Sequence, residues 1–181
     1  MNKNNIEVEI RSFISKEQYN KLLKFFNKEA KLRKKDNQET IYFDSKQDLR
    51  IQKNNSKTKI WLKKGKIHDE FREEIEVYTK KEDFKKFLEI FKTLGYKEEI
   101  IWIRKRSQFL WKRIKVCIDY TVGYGYIIEL EKMSNVKNKE KDLEKLNSYL
   151  KQLEVKKTQR EDFDKAYGKY KNNWKKFILK D

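Results

Sequence analysis

Acidic side chains recur at alternating positions in three short segments of this 181-residue chain. The segments are "IEVEIR" (6–11), "REEIEV" (72–77) and "IIELEK" (127–132). In an extended strand successive side chains point to opposite faces, so each segment places two carboxylates on one face and apolar residues on the other. Carboxylate oxygens are the ligands that hard divalent cations such as Mg²⁺ prefer, and paired carboxylates therefore indicate a candidate metal site.

Basic side chains alternate in the same way on other segments. Arg50 and Gln52 share one face, Arg104 and Arg106 share another, and "KTKIWLKK" (57–64) places several lysines together. Arginine binds phosphate oxygens through two parallel hydrogen bonds, and divalent cations bridge carboxylates to phosphates. If the acidic and basic faces meet, they predict a site for a metal ion and a polyphosphate.

Period-two patterns dominate the chain and predict eight strands, and turn signals such as "KKDNQE", "DSKQD", "KNNSK" and "KKGKIHDE" separate the early ones. The predicted strands are 6–13, 40–44, 48–53, 57–64, 70–78, 98–108, 111–120 and 125–132.

Apolar stripes at helical spacing predict four helices, at 16–29, 80–94, 139–154 and 160–176. A capping box, in which a serine or threonine and a residue three positions later satisfy each other's backbone, marks two of the starts. The pairs are Ser15 with Gln18 and Thr79 with Glu82.

The helices need an apolar surface to lie on, and the apolar faces of the strands supply it. The charged faces then point the other way, and closure of the sheet removes its edges and turns these faces inward. The prediction is an α+β fold: an eight-stranded antiparallel closed barrel, or tunnel, with a charged interior and helices outside. We expect one domain over 1–181, with 139–181 as C-terminal helices that pack on or cap the barrel.

Composition restricts the class and the partners. The net charge is +17, which suits a polyanionic partner or a generally basic, solvated surface. No apolar run is long enough to span a membrane and no secretory signal is visible, so we expect a cytoplasmic protein. Cys117 is the only cysteine and is interpreted as a buried structural thiol, and the single histidine, His68, as a loop residue.

In their order along the chain, these segments resemble the CYTH superfamily, the triphosphate tunnel metalloenzymes. "EVEIR" is similar to the family signature E-x-E-x-K, with Arg11 in the lysine place, and "REEIEV" to R-x-E-x-E. "YFDSKQDLRIQ" resembles a tyrosine–aspartate turn followed by L-R-x-R, with a departure at Gln52, and "IWLKKG" the next strand with its lysine. "IRKRSQF" resembles the K-x-R strand, with Arg104 for lysine, and "CIDYTVGYGYIIELE" is the best match, including Asp119. "TQREDF" is similar to the start of the C-terminal basic helix.

The resemblance implies a tunnel in which glutamates hold Mg²⁺ or Mn²⁺ while arginines and lysines grip a triphosphate. The metal ligands implied are Glu7, Glu9, Glu74, Glu76, Glu129 and Glu131. The phosphate-binding residues implied are Arg11, Arg50, Lys63, Arg72, Arg104 and Arg106. Glu9, Arg11 and Glu131 are the implied catalytic residues, and Asp119 has a supporting role. Arg11 and Arg104 keep charge but lack the compact geometry of lysine, and Gln52 removes one cation.

Three functions follow as hypotheses. The first is a metal-dependent hydrolase of triphosphates. The second is a class IV adenylyl cyclase, which converts ATP to cyclic AMP and pyrophosphate. The third is a basic nucleic-acid-binding module. The expected partner is a small triphosphate, without a membrane, and the protein is expected to be a monomer or a homodimer.

Overall fold

The computed structural model describes residues 6–65 and 70–178, so His68 lies outside the described residues. The described strands are β1 (Ile6–Ile14), β2 (Lys31–Phe43), β3 (Asp48–Lys53), β4 (Lys57–Lys63), β5 (Phe71–Lys80), β6 (Glu98–Trp111), β7 (Ile114–Thr121) and β8 (Gly125–Ser134). The described α-helices are α1 (Lys16–Glu29), α2 (Phe84–Thr93), α3 (Lys139–Gln152) and α4 (Arg160–Ile178).

The strands form a closed barrel in the order β1-β5-β4-β3-β2-β6-β7-β8, and every neighbouring pair is antiparallel. The ring closes where β8 pairs with β1 along its whole length, from Ile6 opposite Ser134 to Ile14 opposite Tyr126. The α+β barrel predicted from the alternating patterns is therefore confirmed.

The main apolar core lies outside the barrel wall, between the strands and α1 and α3. Val8 and Ile10 point outward from β1 and are 0% and 2% exposed, and Leu146 of α3 packs in the same cluster. Helix α1 contributes Leu22 and Phe26 to it. The predicted capping box of α1 is confirmed, because the side chain of Ser15 accepts from the Gln18 amide and the Gln18 side chain accepts from the Ser15 amide.

Helices α2 and α4 each pack on the barrel through a smaller apolar cluster. Phe84, at the start of α2, packs with Ile51 of β3 and Phe43 of β2. Helix α4 packs Tyr170 and Trp174 with Ile100 and Trp102 of β6, and the Tyr170 hydroxyl donates to the Ile101 carbonyl at 2.9 Å. The apolar stripe predicted for α4 is thus its packing face. Within the described ranges, none of the helices has both the length and the apolar character needed to cross a membrane.

The second strand is much longer than the 40–44 predicted, and the turn assigned to "KKDNQE" is wrong. β2 covers Lys31–Phe43 and pairs with the 14-residue strand β6 from Lys31 to Phe43. Asp36 and Gln38 face the barrel interior, where their polarity is accommodated. Tertiary pairing with β6 therefore overrides the low strand propensity of these residues.

Two other boundaries differ from the prediction. The capping box of Thr79 and Glu82 is absent: the Thr79 hydroxyl donates to Asp83 at 2.8 Å, Lys81–Asp83 form a 3-10 turn, and α2 begins at Phe84. The strand predicted at 111–120 begins at Ile114, because β6 continues to Trp111 and the hairpin turns after it. Burial of Phe84 against β2 and β3 fixes where α2 starts.

Replacing Phe26 by alanine should destabilise the fold strongly. Phe26 is 0% exposed and its ring lies 5.6 Å from Phe109 and 5.5 Å from Trp111, so its removal leaves a cavity under α1. We expect Phe26→Ala to lower the free energy of unfolding by about 3–5 kcal/mol, measured by urea denaturation. Phe25→Ala is the control, since Phe25 is 38% exposed and should cost much less. Equal losses would contradict this description of the core.

Candidate active site in the barrel interior

The barrel encloses a cavity of about 630 Å³ lined by charged side chains from the strands. Alternation along each strand produces this lining, since Glu7, Glu9 and Arg11 point inward between the outward Val8 and Ile10. All of the predicted site residues line this cavity. They are Glu7, Glu9, Arg11, Arg50, Lys63, Arg72, Glu74, Glu76, Arg104, Arg106, Asp119, Glu129 and Glu131, and Gln52 lies among them.

Three of the predicted metal ligands come together at the junction of β1 and β8. Glu9 lies opposite Glu131 in the antiparallel register, and Glu7 is two residues from Glu9 on the same face. One carboxylate oxygen from each of the three lies within 4.8 Å of the others, and the residues are 4%, 6% and 6% exposed. We name Glu7, Glu9 and Glu131 the carboxylate trio. Its donor set of buried, closely spaced oxygens fits a hard divalent cation.

The charge of the trio is only partly compensated by protein cations. Lys63 forms an ion pair with Glu7 and lies 3.7 Å from Glu9, and Lys115 pairs with Glu131. Burial nevertheless raises the pKa of Glu131 to about 8, against the effect of Lys115 and with the added repulsion of Glu7. A cation bound to the trio would favour the ionised form of Glu131 and remove this cost.

Glu129 lies on the same strand as Glu131, but its pKa is shifted in the opposite direction. Burial works to raise the pKa of Glu129, yet the charges of Arg106 and Arg104 outweigh it and the pKa is lowered. The Arg106 guanidinium is 3.1 Å from Glu129 and 2.6 Å from Asp119. Asp119 also lies 3.3 Å from Arg104, so this buried carboxylate holds both guanidinium groups in the wall of the cavity.

Glu74 and Glu76 on β5 are paired with lysines of β4 and lie outside the trio. Lys59 contacts both carboxylates, at 3.0 Å in the case of Glu74. Lys63 lies 3.6 Å from Glu74 and so connects this pair to the carboxylate trio. The prediction that Glu74, Glu76 and Glu129 are metal ligands stays a prediction, because these residues lie outside the group of three closely spaced carboxylates.

Asp48 supports two of the site arginines, and the sequence analysis missed it. It forms an ion pair with Arg50 on its own strand and lies 2.5 Å from Arg72 of β5. Burial works to raise the pKa of Asp48, but the two guanidinium groups lower it below its ordinary value. Its position two residues before Arg50 was the available signal, since the two side chains share a face of the strand.

Lys115 and Asp36 were also not assigned as site residues. Lys115 lies on the inward face of β7, the strand face that also carries the buried Cys117 and Asp119. Asp36, 5% exposed, was hidden by the incorrect turn at "KKDNQE". Burial raises the pKa of the Cys117 thiol, consistent with an unreactive structural cysteine.

Aromatic side chains line the end of the cavity that α4 covers. The rings of Trp102 and Tyr124 lie 4.5 Å apart, and Tyr42 lies 6.1 Å from Trp102. The Arg50 guanidinium is 4.2 Å from the Tyr42 ring centre. A cationic group that can bind phosphate therefore lies next to this aromatic end.

The model of the CYTH domain family matches residues 5–161 of the chain. A Methanocaldococcus jannaschii protein that carries the name "putative adenylate cyclase" is 38% identical over 165 residues, which are 84% of this chain and 91% of that protein. A conserved hypothetical protein from Pyrococcus furiosus has a TM-score of 0.71 at 27% identity, over 83% of this chain and 91% of that chain. A Hippeastrum protein, described as a "putative adenylyl cyclase" with a dominant triphosphatase activity, has a TM-score of 0.59 at 18% identity, over 83% of this chain and 88% of that chain.

Asp48 should stabilise the fold in a pH-dependent manner. Asp48→Asn leaves the buried guanidinium groups of Arg50 and Arg72 without their shared carboxylate, and we expect a loss of about 3–5 kcal/mol at pH 7. Because the folded-state pKa of Asp48 is lowered, its contribution is complete above the unfolded pKa of about 4 and is lost as the pH falls through the folded pKa.

Urea denaturation at pH 7 and in acid, wherever the wild type stays folded, measures this difference. The gap between the wild type and Asp48→Asn should narrow in acid. The matched control is Glu144→Gln, which removes an exposed carboxylate from α3 and should leave stability unchanged. A gap that is the same at both pH values would contradict the ionised role of Asp48.

Proposed function

The chain belongs to the CYTH domain family, and we propose that it is a metal-dependent enzyme that hydrolyses a phosphoanhydride bond of a triphosphate held inside the barrel. One observation carries the proposal. Within one cavity, three buried carboxylates each place one oxygen within 4.8 Å of the others, and guanidinium groups line other parts of the wall. A metal–triphosphate complex carries the complementary charges, with the metal matching the carboxylates and the phosphates matching the guanidinium groups.

We propose Mg²⁺ or Mn²⁺ as the cofactor, held by Glu7, Glu9 and Glu131. A divalent cation supplies charge neutralisation and polarises phosphoryl oxygens. The two lysines that now contact the trio, Lys63 and Lys115, are then free to contact phosphate oxygens.

The phosphate-binding set in this proposal comes from several sides of the barrel. Arg11, Arg50, Lys63, Arg72, Arg104 and Arg106 hold the phosphate oxygens. Arg11 has a special position, since its guanidinium is 3.3 Å from Glu9 and thus lies where the acidic and basic parts of the wall meet. A cation at this boundary stabilises the negative charge that develops as the bridging oxygen leaves. In this proposal Glu9 and Glu131 hold the metal and thereby position the bound phosphate next to Arg11.

A class IV adenylyl cyclase is the second candidate. The name of the M. jannaschii relative favours it, and so does the aromatic end of the cavity, where Tyr42, Trp102 and Tyr124 offer ring faces to a nucleobase. The Hippeastrum protein shares the fold at 18% identity, which supports the architecture and not a particular activity. The two candidates share the polar part of the tunnel and differ in the products.

Metal binding by the trio can be tested without turnover. Calorimetric titration with Mn²⁺ should show a site that Glu7→Gln and Glu131→Gln each weaken by more than about tenfold, since each removes a charged ligand. Glu76→Gln is the matched control, because Glu76 is paired with Lys59 and lies outside the trio. If Glu76→Gln weakened Mn²⁺ binding as much as these two variants, the assignment of the metal to the trio alone would be wrong.

Chromatography of the products distinguishes the two candidate reactions. With Mn²⁺ or Mg²⁺, we expect ATP to give ADP and phosphate, tripolyphosphate to release phosphate, and both reactions to stop in excess chelator. Glu9→Gln and Arg106→Ala should each reduce the rate by roughly a hundredfold or more, because the first removes a proposed metal ligand and the second a proposed phosphate-binding charge.

Matched substitutions on the outside of the barrel are the controls for these variants. Glu73→Gln and Arg33→Ala remove exposed charges of the same kinds and should leave the rate unchanged. Cyclic AMP and pyrophosphate as the main products would favour the cyclase, and full activity in Glu9→Gln would contradict both candidates.

A further inference from the structure

Two reciprocal hydrogen bonds tie β1 to the segment that leads into α4. The Phe13 amide donates to the Thr158 hydroxyl at 2.9 Å, and the Thr158 amide donates to the Ser12 hydroxyl at 3.1 Å. Ser12 is 0% exposed, so water cannot readily replace its contact with Thr158. We name Ser12 and Thr158 the β1–α4 latch. The two residues are 146 positions apart in the sequence, and only the folded chain brings them together.

The latch lies where β1 loses its strand neighbour on one side. Among the described residues, β5 pairs with β1 over 6–8, and one further backbone hydrogen bond runs from the Glu9 amide to the Glu70 carbonyl at 3.1 Å. On the other side, β8 pairs with β1 along its whole length. Beyond Glu9, the latch therefore fixes the edge of β1 that faces away from β8, in the stretch that carries Arg11.

The latch also sets the position of Phe163, near the start of α4. Thr158 lies two residues before α4 begins at Arg160, so its bonds to β1 hold the first turn of the helix against the strand. Phe163 is 5% exposed, and its ring stacks on Phe13 with the ring centres 4.5 Å apart. The Arg11 guanidinium lies 5.7 Å from the Phe163 ring centre, within the range of a cation–π contact.

Arg11 has fewer polar contacts than Arg106, another of the site arginines. In the described part of the chain, Glu9 is the one carboxylate in ion-pair contact with Arg11, at 3.3 Å. Arg106 contacts two carboxylates, at 2.6 and 3.1 Å. The Arg11 side chain is also more exposed, at 22% against 11% for Arg106. The orientation of Arg11 therefore depends more strongly on the Phe163 ring.

We propose that the β1–α4 latch positions Arg11 for catalysis, because Ser12 and Thr158 place Phe163 against the guanidinium and so hold it beside Glu9. This inference rests on the proposed function, in which Arg11 stabilises the negative charge on the leaving oxygen. Neither latch residue lines the tunnel, so both act through other side chains. A displacement of about 1 Å in a group that acts on the transition state can lower the rate by about a hundredfold.

Steady-state hydrolysis of tripolyphosphate by the intact chain with Mn²⁺ tests the proposal. Thr158→Val keeps nearly the same side-chain shape and removes the hydroxyl that accepts from Phe13. We expect kcat to fall by about tenfold or more and KM to change by less than about twofold, because the other tunnel cations still hold the phosphates. Thr158→Ser restores a hydroxyl and should recover most of kcat. Thr93→Val, the same change at an exposed position of α2, should leave both constants unchanged.

A double-mutant cycle with Arg11 separates positioning from a general effect on the fold. In the Arg11→Ala background, Thr158→Val should change kcat by less than about twofold, because the group that the latch positions is absent. Ser12→Ala should reduce kcat as Thr158→Val does, and the two changes together should have little more effect than one, since both break the same contact. Equal kcat losses from Thr158→Val with and without Arg11 would overturn the proposal, because that is the result of a merely structural role.

The melting temperature of every variant is measured so that assays are run on folded protein. If Thr158→Val does not fold, Phe163→Leu replaces it, since leucine keeps an apolar side chain but lacks the ring face that contacts Arg11. It should lower kcat only when Arg11 is present, and an unchanged kcat would overturn the proposal. Wild-type hydrolysis without a latch effect overturns this inference alone. Absence of triphosphate hydrolysis by the wild type overturns the proposed function and this inference with it.

Discussion

Charge compensation inside a closed barrel is the constraint on which the rest of this structure depends. Closure removes the strand edges and turns one face of every strand away from bulk water. An unpaired charge in such a place is costly, so each inward carboxylate needs a cation close by. Asp48 between two arginines and Asp119 beside Arg104 and Arg106 show how the protein meets this need.

Buried ion pairs contribute little net stability, because desolvation offsets much of their attraction. The free energy that holds the barrel together must therefore come from elsewhere. Its sources are the outer clusters under α1, α2 and α3 and the cluster with which α4 covers one end of the barrel. This division leaves the interior available for ligand binding. The core is on the outside of the sheet, and the polar tunnel can bind and release charged molecules without loss of the apolar packing.

The ion pairs of the interior also indicate where a ligand would act. Lys63 and Lys115 contact the carboxylate trio, yet burial, with added repulsion from Glu7, still raises the pKa of Glu131. Glu129 differs, because the charges of Arg106 and Arg104 outweigh the effect of burial and lower its pKa. A cation at the trio and an anion at the arginines would balance both groups of charges.

The sequence by itself determined which side chains face inward, because alternation along a strand is a local property with a period of two residues. It placed Glu7, Glu9 and Arg11 on one face, and the helices that cover the other faces followed from their apolar stripes. The order of the motifs indicated the family. Only the tertiary structure decided which inward residues meet, since contact across a barrel depends on strand order and register.

Three cases show this limit. The pairing of β8 with β1 brings Glu131 to Glu9 and leaves Glu76 with Lys59. The partner strand β6 extends β2 through a segment whose residues favour turns. The cavity beside Lys112 and Arg113 is formed by a hairpin, the end of β8 and helix α3, which are separate in sequence, so no local pattern predicted it.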